Sequence, residues 1–84
     1  MVDVRIALRV YIDERGFIHG KIAEKAGMNH MSIWGVFRLR RKLNVSELCA
    51  LCEAMGITMA DFEKYWREYD KRQKEGGDAN GTDN

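Results

Sequence analysis

Between Asn29 and Lys42 the chain gathers the side chains with which a protein can address a polyanion. Asn29, His30 and Ser32 carry donors and acceptors of the kind that match base edges. Met31, between them, can lie against a thymine methyl or simply fill core space. Arg38, Arg40, Arg41 and Lys42 put four cations in five positions. Such a run neutralises phosphates and makes binding salt-dependent. Each has a plainer reading as well: a solvated charge run for the four bases, and a surface or capping role for Asn29, His30 and Ser32. Trp34 leaves three readings open. It can stack on sugar or base, mark a protein-binding surface, or belong to the core if its helix is rotated.

Cys49 and Cys52 have the spacing of a metal-binding pair. Zinc needs four ligands, however, and the sequence holds no further Cys. Its two His fall in the stretch just described. The pair sits amid Leu48, Leu51 and Met55, which points to buried thiols packed as small hydrophobes, with no metal and no cofactor. No nucleophile–base–acid set and no phosphate loop stands out, so the chain is not expected to be an enzyme.

The elements that must position these residues are legible from His19 to Phe37, HGKIAEKAGMNHMSIWGVF. Ile22, Ala23 and Ala26 share one helical face, predicting a helix over about 18–26. Gly27 then stands where a helix end needs a residue tolerant of a left-handed backbone. Met28 can turn inward at the corner, and Asn29 is placed to cap a second helix over about 30–37. Ile33, Val36 and Phe37 give that helix its inner stripe. Helix, Gly-containing turn, helix is a helix-turn-helix, whose second helix can lie in a DNA major groove.

The 84 residues have room for one core, with 45% hydrophobic residues and no Pro. Helical periodicity predicts an all-α chain with a helix-turn-helix domain at 1–74 and a flexible tail at 75–84. Net charge is +1, but its distribution is uneven. Residues 5–42 carry nine bases, Lys21 among them, against three acids, while the last ten residues carry three acids and no base. No apolar run is long enough to span a membrane, and the start, with an acid at position 3, does not read as a signal peptide. A cytoplasmic protein with reduced cysteines is expected.

Before the motif, a helix over about 4–15 presents Val4, Leu8, Tyr11 and Ile12. Gly16 ends it, and Phe17 is expected to drop into the core between the first two helices. After the motif, Asn44 with Glu47 resembles a capping box for a helix over about 45–55, with Gly56 at its end. Thr58 can cap a last helix over about 59–74, with Asp61 in its first turn. Phe62, Tyr65, Trp66 and Tyr69 form an aromatic stripe on it. The stripe is long for a small core, so part of it (Tyr65, Trp66, Tyr69) is expected to serve a homodimer contact.

From Phe17 to Phe62 the chain resembles the lambda-repressor-like helix-turn-helix family, the Cro/repressor or XRE type. The matching pieces are Glu14-Arg15-Gly16-Phe17, Ile22 to Met28, Ile33 with Val36, then Val45, Leu48, Leu51 and Glu53 to Ile57. The resemblance implies a compact five-helix DNA-binding domain, dimeric on operator half-sites. It implies that His19 touches phosphate at the start of the second helix. It also implies that Asn29, His30, Met31, Ser32 and Gly35 lie at base edges or nearby phosphates, with the following bases on the backbone. The chain departs from the pattern in several places. Gly20 replaces a better helix former, Met31 and Gly35 replace polar readers, and Trp34 stands where a small or polar residue is usual. Where members often pair an Arg with a Glu, Ile12 and Phe37 predict a buried apolar contact instead.

Two functions follow as expectations. One is a sequence-specific regulator that binds double-stranded DNA as a dimer and occludes a promoter, of phage or mobile-element type. The other is a protein-interaction module or antitoxin on the same fold, with the apolar face of the third helix turned to a protein partner.

Overall fold

The computed structural model is all-α: α1 (Val4–Glu14), α2 (His19–Lys25), α3 (His30–Phe37), α4 (Val45–Met55) and α5 (Met59–Asp83). It describes the backbone through Asp83 and the side chains of residues 1–75. The tail expected over 75–84 falls, Glu75 apart, outside the described side chains. No described helix is long and apolar enough to cross a membrane.

Local chemistry sets where the helices begin. Asp3 caps α1, its carboxylate accepting from the Arg5 amide at 2.9 Å. Asn44 and Glu47 close a reciprocal capping box on α4, and Thr58 and Asp61 exchange the same pair of bonds at the start of α5. Between α2 and α3 the chain turns at Gly27, whose φ of 77° any side chain would strain. The Met28 amide then bonds back to the Ala23 carbonyl at 2.8 Å, and Met28 packs against the core as expected.

One core joins all five helices: Leu8, Tyr11 and Ile12 of α1, Ile22 and Ala23 of α2, Ile33, Val36 and Phe37 of α3, Leu51 and Cys52 of α4, and Phe62 of α5. Thus α2 is held between α3 and α4, while α1 braces α3 and α5. Ile12 and Phe37 are both buried here, as the apolar exchange predicts. Phe17 does not join them. The turn at Gly16 commits the Phe17 amide to the Ile12 carbonyl at 3.1 Å and leaves the ring 36% exposed. Apolar character alone does not dictate burial where the backbone fixes the exit direction.

The N-terminal strand of chain is clamped to α5. The Val2 amide donates to the Asp70 carboxylate at 2.6 Å, and the Trp66 indole donates to the Val2 carbonyl at 2.7 Å. Three carboxyls are held below their ordinary range: Asp3 by the Arg5 guanidinium, Glu47 by that of Arg41, and Asp70 by the Val2 amide and then Lys74. Their stabilisation is complete above about pH 5, beyond the ordinary carboxylate values, and is lost as pH falls toward the lowered folded values. The thermal midpoint should therefore decline steadily below about pH 5. A Glu47→Gln, Asp70→Asn variant should show a shallower acid decline, and an unchanged acid slope would contradict the assignment.

The end of α3 carries the strain. Leu39 has a φ of 61° and is 45% exposed, a left-handed residue where Gly is usual. The Arg40 and Arg41 amides both bond back to the Gly35 carbonyl, at 2.9 and 3.2 Å, so the turn is over-determined by its closure. Leu39→Gly should raise stability by about 0.5–1 kcal/mol, seen as a midpoint gain of a few degrees in thermal melts.

Candidate nucleic-acid interface

Asn29 accepts from the Ser32 amide through Oδ1 at 2.8 Å and so starts α3 as its cap. With Ile33, Val36 and Phe37 turned to the core, the 3.6-residue period sends His30, Met31 and Trp34 outward. Met31 is 82% exposed and Trp34 40%. Ser32 and Gly35 are half-buried on the flanks. Of the three placements open for Trp34, the core is excluded.

Trp34 is the middle of a stack that runs along the helix. The His30 ring lies nearly parallel to it, 6.1 Å away at 24°. The Arg38 guanidinium sits 5.2 Å from its centroid on the next turn, within cation–π range. His19, at the start of α2, meets Trp34 edge-on at 5.5 Å and Phe37 at 4.9 Å. Its Nε2 is 2.7 Å from the Asp13 carboxylate across the Gly16 turn. In the free chain His19 Nε2 is therefore partnered by a carboxylate.

The structure also accounts for Gly20. A Cβ there would come within 3.3 Å of the His30 ring, so the bare backbone of α2 seats the first residue of α3. Because His30 is exposed, its ring can yield. Gly20→Ala should therefore stabilise the fold by about 0.5 kcal/mol through helix propensity. The same variant should displace the His30–Trp34 stack, read as a change in tryptophan fluorescence. A less stable variant would show that the seat is rigid.

The basic residues divide. Lys21, Arg38, Arg40 and Lys42 are exposed around α3. Arg41 is set apart: its guanidinium pairs with both Glu47 carboxylate oxygens, at 3.1 and 2.6 Å. Its carbonyl accepts from Arg5 at 3.0 Å. Arg41 thereby ties the loop to the first turn of α4. Sequence reasoning read Glu47 as a capping residue but missed its bond to Arg41, as it missed those of Asp13 to His19 and Arg5 to the Arg41 carbonyl, because each acts across a turn or between elements, where no periodicity marks the pairing. Gly20 was visible only as a poor helix former.

No protein-family model matches the chain, and no curated protein matches it significantly.

The remaining expected sites lie elsewhere. Tyr65 packs edge-on to Tyr11 at 4.9 Å, and its hydroxyl donates to Glu14 at 2.7 Å. Burial, reinforced by that carboxylate, pushes the phenol up. Tyr69 stacks on Tyr65 at 6.2 Å, and Trp66 is tied to Val2. All three expected dimer residues are thus half-buried within their own chain. Between α4 and α5, Leu48, Met59, Phe62 and Trp66 line an apolar groove of about 260 Å³. Cys52 is buried, its thiol pushed up to about 11 by desolvation, and Cys49 is half-buried beside it. Among the described residues, no three His, Cys, Asp or Glu converge as metal ligands.

Proposed function

We propose that this chain is a sequence-specific regulator that binds double-stranded DNA, with α3 entering the major groove and the protein acting as a dimer in the cytoplasm. The observation that carries the reading is the outward face made by His30, Met31 and Trp34, with exposed Lys21 on α2 and exposed Arg38, Arg40 and Lys42 directly after α3. A helix so exposed can enter a groove about 12 Å wide, while flanking cations meet the phosphates on either side. Two-fold assembly would present two such helices to half-sites about one turn apart. With the α5 aromatics engaged within the chain, the contact would use their outer edges and the α4–α5 groove. Regulation by occlusion of a promoter needs nothing beyond binding.

The helix-turn-helix geometry and the lambda-repressor-like sequence pattern support the same reading. Gel-shift titration on the DNA upstream of its own gene, and on a random-sequence duplex pool, tests it. Salt-sensitive complexes at or below micromolar protein are expected, and their absence counts decisively against it.

The second reading, a protein-interaction module or antitoxin, is favoured by the apolar character of Met31 and Trp34 at the crest of α3. A pull-down that returns one stoichiometric partner, lost on Trp34→Ala, together with no DNA binding, would establish it instead.

A further inference from the structure

The outward face of α3 combines a few polar groups with a projecting apolar one. The Asn29 carbonyl oxygen is occupied by the Ser32 amide at 2.8 Å. Ser32 itself is half-buried, and Gly35 has no side chain. The exposed His30 ring stacks beside Trp34, 6.1 Å between centroids. Met31, 82% exposed, is the most exposed of the large apolar side chains, and Ile18, 63% exposed at the N-cap of α2, is a second apolar group on the motif's surface. Exposed cations stand on α2 (Lys21) and directly after α3 (Arg38, Arg40 and Lys42), and their charge complements a polyanion rather than an apolar protein groove.

A B-DNA major groove presents donors and acceptors along its floor, and one apolar group, the C5-methyl of thymine. A flexible, polarizable thioether is well suited to lie against it. Resting on the proposed DNA-binding function, we infer that Met31 is a specificity-determining residue that reads thymine 5-methyl groups, so that each half-site is selected at that position by an apolar contact instead of a hydrogen bond. The position under Met31 then discriminates thymine from uracil, which differ by that methyl alone. The His30–Trp34–Arg38 stack holds the flank of the helix while Met31 makes the contact.

The test selects binding sites for the full chain from a random-core duplex pool. Each thymine of the selected site is then replaced in turn by deoxyuridine. Wild type should lose about three- to tenfold in affinity at one or two positions per half-site, the scale of one buried methyl. Met31→Ala, at a site so exposed that the fold is undisturbed, should bind the thymine site as weakly as wild type binds the uracil site. It should also respond less than twofold to the same replacement, by the logic of a double-mutant cycle. Wild-type binding that is indifferent to uracil at every position would overturn the inference while leaving the DNA-binding reading standing. So would a Met31→Ala variant that keeps the full uracil effect. A pool that yields no bound duplex at all would overturn both.

Discussion

A Phe37→Ala variant should lose about 3–4 kcal/mol of stability, the usual cost of truncating a buried aromatic ring. Phe37 is 3% exposed at the end of α3, in the same core as Ile12, with the His19 ring edge-on against it at 4.9 Å. It therefore ties the end of α3 to the start of α2 within the shared core. A domain of this size has of order 5–10 kcal/mol in total, so the loss should lower the thermal midpoint by roughly 15–25 °C. The effect reaches the site as well as the fold. His19 loses one of its two ring contacts, and α3 loses the anchor nearest Trp34. Calorimetry gives the midpoint, and tryptophan emission reports the site. Phe37→Leu should recover most of the stability, since it refills most of the volume. A Phe37→Ala midpoint within a few degrees of wild type would show that α3 is not held in this way.

The second large effect is electrostatic. Alanine at Arg38, Arg40 and Lys42 together should weaken duplex binding by about 100- to 1000-fold near 0.15 M salt. The slope of log K against log salt should flatten by about 2.7, roughly 0.9 per lost phosphate contact. These three side chains are exposed, so the thermal midpoint should move little. Arg41→Ala should behave the opposite way. Its guanidinium is committed to Glu47, so removing it should lower the midpoint and leave the salt slope nearly unchanged. Equal effects of all four positions on the slope would mean that the loop rearranges on DNA and frees Arg41.

The parts of the fold legible in the sequence are those set by local chemistry. The bounds of α3 and α4, the caps at Asn29, Asn44 and Thr58 and the turn at Gly27 all depend on partners three or four residues apart. The inner stripe of α3 followed from its period, but Met31 and Trp34 had readings in the core as well as outside it, and only their exposure in the fold decides between them. What sequence could not give are contacts between elements. Nothing in the spacing of Asp13 and His19 announces a bond across the Gly16 turn, and nothing near Val2 announces Asp70. Phe17 failed for a related reason, because the backbone direction at Gly16, and not side-chain hydrophobicity, decides where the ring goes. Arg41 read as one of four equivalent cations, and only the arrival of Glu47 from α4 sets it apart.

The most direct measurement is an NMR titration of isotope-labelled full-length protein with a duplex selected from a random pool. The account predicts that the largest amide shifts fall on Asn29 to Gly35 and on the Arg38–Lys42 loop, weaker ones on His19 to Lys21, and that all of them shrink as salt is raised. Shifts confined to the α4–α5 groove, or none along α3 at saturating duplex, would contradict it.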